Sequence, residues 1–173
     1  MIEILTNLKL IFFIMLFVIL FIFESFYSER AWTSKRFFRL FFHAKIAIIN
    51  TLIIRFPTIF LIIPSLMLIT ENQYGILNNL DIGFTLKAVF GLLLLDLAYY
   101  FWHRLNHTNS FLWRFHSVHH LDTQLDVTTS LRFHFGELLL SSLFKTILIL
   151  FLGMPISVFI FYEILLSACN QFH

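Results

Sequence analysis

The chain has few of the residues that a water-soluble domain needs at its surface. Only 13% of its 173 residues are Asp, Glu, Lys or Arg, whereas 59% are hydrophobic. A soluble domain of this length cannot bury so much apolar surface, so the composition indicates a membrane protein. The single cysteine, Cys169, excludes an internal disulfide. A net charge of +2 without any basic tract argues against nucleic-acid binding.

Proline and glycine are also scarce, with three and five copies, and their positions are informative. The apolar regions cover residues 8–26, 46–69, 84–102 and 138–169. Pro57 and Pro64 interrupt the second region and predict a kink or a break there. The run from Gly153 to Pro155 divides the fourth region into segments that are short for a membrane span, which favours a helical hairpin that dips into the membrane.

The distribution of charge predicts a topology. The connector at residues 29–45 is rich in Lys and Arg, whereas the loop at 70–82 contains neither. The connector is therefore expected on the cytoplasmic side, and the third apolar region should return to that side at Trp102. The predicted fold is an all-α integral membrane helical bundle with a cytoplasmic histidine-rich helical cap and a Pro/Gly-broken C-terminal membrane hairpin.

Five of the eight histidines lie within eighteen residues, directly after the third apolar region. His103 and His107 are four residues apart, and His116, His119 and His120 follow at helical spacing, so each set shares a helix face. Neutral imidazoles in this pattern suit metal binding. One zinc ion needs three or four protein ligands, so five histidines favour two metals or a shared cluster. The alternative is a set of interfacial polar rings without metal.

One carboxylate lies inside the third apolar region. Asp96 shares a helix face with Tyr100 and His103. Because a carboxylate inside a membrane is costly, it usually faces a partner. Asp96 could accept a hydrogen bond that fixes a histidine tautomer, or it could bond to a neighbouring helix.

A further polar group precedes the last apolar region and contains Arg132, His134 and Glu137. Like Asp96 and Tyr100, these residues are candidates for supporting the metal ligands or for a structural role. His134 could be a metal ligand, could support a ligand from behind, or could cap a helix, and spacing alone does not choose between these roles. His43 is isolated at the start of the second apolar region, so a structural role is expected.

Three segments together resemble the fatty acid hydroxylase/sterol desaturase superfamily. The first two are DLAYYFWHRLNH at 96–107 and LWRFHSVHH at 112–120. The third, 129–137, is similar to the family's Arg-x-His-Pro-x-Glu stretch, with Phe135 in place of proline. The resemblance covers about residues 90–137 and, more weakly, the tail.

The resemblance implies a membrane enzyme with a histidine-bound di-iron centre. Such enzymes hydroxylate or desaturate a lipid, of sterol or fatty acyl type, with O2 and two electrons. The electrons come from NAD(P)H through a small electron-transfer protein, so lipid and that protein are the expected partners. The implied iron ligands are His103, His107, His116, His119, His120 and His173. The expected domains are an N-terminal membrane part, 1–83, and a hydroxylase-like domain, 84–173.

The chain departs from the family pattern after the hairpin. Its last residues, Asn170 to His173, are similar to the start of a later histidine element, and the final His-x-x-His-His box is missing. We therefore expect a chain that is truncated before that box, is completed by another chain, or is inactive. Two other functions stay open: a catalytically inactive membrane scaffold that binds lipid or a partner, and a membrane zinc hydrolase. The hydrolase is weakened because no His-Glu-x-x-His motif is present.

Overall fold

The computed structural model describes residues 2–27 and 36–172, with side chains from residue 8 onward. Regular structure within these residues is entirely helical. The helices are α1 (Ile2–Phe26), α2 (Arg36–Pro57), a π-helical segment (Thr58–Ile62), α3 (Ile63–Asn72), α4 (Ile76–Asn79), α5 (Phe84–Thr108), α6 (Ser110–His120), a 3₁₀ turn (Val127–Leu131), α7 (Phe135–Leu152) and α8 (Ile156–Cys169). His173 lies outside the described residues, as do Arg30 and Lys35 of the basic connector.

Among the residues that the structure describes, four helical stretches are long and apolar enough to cross a membrane. They are Leu8–Phe26, Arg36–Asn79, Phe84–Thr108 and Phe135–Leu152. Their outer surfaces carry large apolar side chains, such as Ile48 and Leu93, which are more than 60% exposed. A surface of this kind needs hydrocarbon around it rather than water. The predicted all-α membrane bundle is confirmed.

The interruption predicted for the second apolar region is present as a π-helical segment. Helix α2 ends at Pro57, the chain then winds as a π-helix over Thr58–Ile62, and α3 follows with Pro64 in its first turn. Proline lacks the N–H that would continue the α-helical ladder, so the backbone rearranges locally and the helical path continues.

The C-terminal hairpin is also confirmed. Helices α7 and α8 are joined at Gly153, whose φ of +64° ends α7 in the left-handed conformation. A Cβ atom at Gly153 would lie 2.0 Å from the carbonyl oxygen of Tyr74, so glycine also permits this close backbone approach. At 18 residues, α7 is longer than predicted and qualifies as a candidate span, whereas α8 is shorter. Met154 packs against Gly91 of α5, so the turn of the hairpin lies against the first half of that helix.

The bundle core fixes the helices that carry the histidines. Helix α8 packs against α1 and α5, while α7 packs against α2 and α3. Helix α6 contacts both α5 and α7 near the end of the bundle that carries the histidines. The core side chains are Ile62, Leu66, Ile69, Leu77, Leu95, Ile149, Leu152, Met154, Val158, Phe159, Ile160 and Tyr162.

Candidate metal centre

A sharp turn between α5 and α6 brings the two histidine groups together. Helix α5 ends at Thr108, and Asn109 caps α6 because its side-chain oxygen accepts hydrogen bonds from the backbone N–H groups of Phe111 and Leu112, at 3.0 and 3.2 Å. Asparagine is a preferred residue at this position. Asn109 alone separates the two helices, and the turn there brings the last turns of α5 close to the last turns of α6.

The turn brings together four histidines from the two helices: His103, His107, His116 and His120. One ring nitrogen from each lies within 4.8 Å of all the others. The Nε2 atoms of His103 and His107 are 3.1 Å apart, those of His107 and His116 are 3.2 Å apart, and those of His116 and His120 are 3.1 Å apart. Two nitrogens that each lie about 2 Å from one transition-metal ion are themselves about 3 Å apart. We call these four residues the histidine cluster.

His116 occupies the centre of the histidine cluster and is oriented from behind by a carboxylate. It is only 2% exposed, and its Nδ1–H donates to Oε1 of Glu137 at 2.7 Å. This bond fixes the tautomer, because Nδ1 carries the proton and Nε2 keeps a lone pair directed at the other rings. Glu137 is itself buried in the first turn of α7. A carboxylate behind an imidazole is the usual support for a metal-binding histidine.

The surroundings also keep His120 neutral. Partial burial of the ring, followed by the nearby rings of His116 and His119, lowers the pKa of His120 to about 4 from an ordinary value of 6.5. The ring is therefore unprotonated at neutral pH, with a lone pair available to a cation.

His119 lies beside the histidine cluster but not within it. Its ring stacks on Phe133, with centroids 4.7 Å apart and planes 4° from parallel, and its centroid is 5.2 Å from that of His120. Of the five implied histidines that the structure describes, four form the histidine cluster and His119 lies next to it.

An aromatic ring that the sequence did not connect with the site lies across the histidine cluster. Trp113 stacks on His120 at a centroid distance of 5.7 Å and contacts His107 in a tilted arrangement at 5.3 Å. It precedes His116 by three residues and His120 by seven, so the helical spacing that grouped the histidines also places this ring among them.

The other polar residues singled out from the sequence lie outside the histidine cluster. His134 caps α7, since its Nδ1 accepts the backbone N–H of Gly136 at 3.0 Å. Because Nδ1 accepts this bond, the proton of the neutral ring lies on Nε2, and His134 has no free lone pair in this arrangement. The backbone N–H of Arg132 closes the 3₁₀ turn on Thr129. These contacts build the loop that presents Glu137.

Asp96 and Tyr100 lie on the outer face of α5. Tyr100 is 57% exposed and packs edge-on against Phe101. Asp96 is exposed and, in the part of the chain that the structure describes, makes no hydrogen bond or ion pair. The carboxylate that orients a cluster histidine is therefore Glu137.

A second polar cluster lies under the loop that follows α6. The Arg39 guanidinium donates to both carboxylate oxygens of Asp122, at 2.8 and 2.9 Å, and also lies near Asp126. His43 Nδ1 lies 2.8 Å from the Thr128 hydroxyl, which in turn donates to Asp126, so the His43 N–H is the donor. We call these five residues the Arg39 network.

The hydrogen bonds around the Arg39 network also favour the ionised form of Asp122. Burial opposes ionisation of Asp122, but hydrogen bonds from Arg39, Thr129 and the Gln124 backbone outweigh burial and lower its pKa. His43, which the sequence left isolated, is 2% exposed here and serves a structural role, as expected. The sequence could not show this network because Arg39 and Asp122 are 83 residues apart.

Comparison with known proteins places this site in a family. The fatty acid hydroxylase model matches residues 88–173, a stretch that begins inside α5 and contains every member of the histidine cluster. Residues 88–173 belong to the fatty acid hydroxylase family. The resemblance seen in the histidine motifs is thereby confirmed.

Part of the chain is similar to a curated protein. The chain is 38% identical over 74 residues to the ornithine lipid hydroxylase OlsE of Rhizobium tropici. The match covers 43% of this chain but only 22% of that protein, so the chain spans about a fifth of the relative's length. No solved structure matches the chain.

Proposed function

We propose that the chain belongs to an iron-dependent lipid hydroxylase and that its histidine cluster binds the iron. The observation that supports this most strongly is the convergence of four ring nitrogens within 4.8 Å, in a segment that belongs to the fatty acid hydroxylase family. Imidazole nitrogens suit iron as well as zinc, so the family rather than the ligand set favours iron.

The geometry fits one metal ion held by His103, His107, His116 and His120. A bound iron ion would supply the ability to use O2 and two electrons for inserting oxygen into a C–H bond. In the full reaction, R–H, O2, two electrons and two protons give R–OH and water. His119, and further histidines such as His173, would complete a two-iron site of the kind that the resemblance implies.

The residues of this chain have separate tasks in that proposal. Glu137 holds the His116 ring so that its Nε2 faces the metal, and Trp113 limits the access of water to the rings of His107 and His120. The apolar helices keep the site at a membrane, where a lipid chain can reach it.

The substrate, electron source and orientation are further parts of the proposal. We infer a membrane lipid as substrate, in keeping with the ornithine lipid hydroxylase relative. The electrons would arrive from NAD(P)H through a small electron-transfer protein. The basic connector at 29–45 favours a cytoplasmic position for the histidine cluster.

Isotopic labelling tests the proposal. Cells that express the chain, grown with iron under isotopically labelled O2, should contain a membrane lipid that has gained one labelled oxygen atom. Cells that express His107→Ala should lack it, because that ring contacts both His103 and His116. The His43→Ala variant is the matched histidine control and should retain the product.

The opposite result would favour a different function. If the chain binds iron yet yields no labelled lipid, the result would contradict hydroxylation by this chain and favour a lipid-binding scaffold. Labelled lipid that is equally abundant with His107→Ala would contradict the role of the histidine cluster.

A further inference from the structure

A groove opens on the surface of the bundle between α2, the 3₁₀ turn and α7. Its volume is about 180 Å³, and its apolar walls include Ala47, Ile54, Leu131 and Leu138. A pocket for a whole drug-sized molecule measures roughly 300–1,000 Å³, so this groove suits part of a ligand rather than all of it.

The polar side chains that line the groove are already engaged. The Thr51 hydroxyl donates to the carbonyl of Ala47, and the Ser130 hydroxyl donates to the carbonyl of Val127. The side-chain amide of Asn50 donates to the carbonyl of Phe133 at 2.7 Å. A lipid headgroup would need free donors for its oxygens, whereas a hydrocarbon chain does not.

The location of the groove identifies what meets its mouth. Helix α2 belongs to the candidate membrane span Arg36–Asn79, and neighbouring residues such as Leu52 are 64% exposed. Hydrocarbon is the solvent for such a surface, so lipid chains surround the opening.

Phe133 connects the groove with the histidine site. Phe133 is one of the residues that line the groove, and its ring stacks on His119 at a centroid distance of 4.7 Å. The amide of Asn50 holds the Phe133 backbone in place. The same residue therefore borders the groove and contacts the side chain next to the histidine cluster.

We propose that this groove binds a segment of a lipid acyl chain and that Phe133 forms the wall between the bound chain and His119. The inference rests on the proposed function in that the bound chain would belong to the lipid acted on at the histidine cluster. Binding itself requires neither metal nor turnover.

Photolabelling of the purified full chain in detergent tests binding. The probe is one equivalent of palmitic acid with a diazirine near its methyl end, and the labelled residues are located by mass spectrometry. Labelling is expected at Thr51 and Ile54, which line the groove, at least fivefold above Leu52, which faces away from it. Equal labelling of the three positions would overturn the proposal.

A pair of neighbouring substitutions controls for nonspecific labelling. Ala47→Trp fills the groove and should remove the label at Thr51, whereas Ile48→Trp, at a position 63% exposed and outside the groove, should leave it unchanged. A label that survives Ala47→Trp, or that both variants remove, would contradict binding in the groove.

Removal of the wall tests the connection to the histidine site. In Phe133→Ala, the probe should also label His119 while continuing to label Thr51, which shows that the groove is intact. Phe135→Ala serves as the control, because Phe135 contacts His134 and does not line the groove. Absence of label at His119 in Phe133→Ala would overturn the role of Phe133.

The two proposals can fail separately. If the purified chain binds no iron but is labelled normally in the groove, only the hydroxylase site is refuted. Normal iron binding with no groove labelling would refute the acyl-chain groove alone.

Discussion

Two polar clusters lie at the same end of the bundle, and they satisfy their hydrogen-bonding groups in different ways. In the Arg39 network, each acid meets a donor from within the chain, and the bidentate Arg39–Asp122 pair is nearly closed to solvent. In the histidine cluster, three of the four residues are exposed, and ring nitrogens face one another at 3.1–3.2 Å.

The difference separates a structural cluster from a binding cluster. The Nε2 lone pair of His116 can accept only one good hydrogen bond, yet two other ring nitrogens lie close to it. A cation at the centre would engage all four lone pairs at once. The Arg39 network needs no such ion because arginine already provides the positive charge.

Loss of the central ion pair should give the largest effect on stability. Arg39→Met leaves the buried Asp122 and Asp126 without their cation, and removal of one partner from a buried pair costs about 3–5 kcal/mol. Chemical denaturation of the protein in detergent measures the change in the free energy of unfolding. Arg55→Met, at an exposed position on the same helix, should change it little. An equally small change for both variants would show that the Arg39 network does not hold the fold.

Removal of the carboxylate behind His116 should act on metal affinity rather than on folding. Glu137→Ala deprives the His116 Nδ1–H of its acceptor, and loss of such a support typically weakens metal binding about 10–100-fold. Glu137→Gln should weaken it less, because the amide oxygen can still accept the bond. Competition with a chromophoric chelator measures both affinities. An effect of equal size from the two variants would point to charge rather than ring orientation.

Substitution of Trp113 should give the smallest effect. Trp113→Ala exposes the rings of His107 and His120, so a chelator should remove bound metal about two- to fivefold faster while the affinity changes little. Stopped-flow mixing with excess chelator measures this rate. Phe111→Ala, which alters a ring packed on Phe115 instead, is the matched control. Identical rates for Trp113→Ala and the unmodified protein would remove the shielding role.

Local patterns in the sequence were sufficient to predict the membrane helices, the break at Pro57 and the hairpin turn at Gly153. These features depend on runs of apolar residues and on residues that interrupt a helix, all close together in the chain. The helical spacing of His103 and His107 likewise predicted a shared face, and the structure shows their Nε2 atoms 3.1 Å apart.

Contacts between distant segments could not be predicted in the same way. The Arg39–Asp122 pair spans 83 residues, and the stacking of Phe133 on His119 depends on how the loop after α6 folds back. The sequence offered two carboxylates as supports for a histidine, Asp96 and Glu137, and only the packing of α6 on α7 chooses Glu137.

The metal content of two single-histidine variants tests the central claim most directly. Purified chain, loaded with ferrous iron without oxygen and freed of excess metal, should retain iron, as measured by inductively coupled plasma mass spectrometry. His116→Ala removes the nitrogen that adjoins both His107 and His120, so bound iron should be lost. His43→Ala alters the Arg39 network and should retain the metal. Equal iron retention by the two variants would contradict the account.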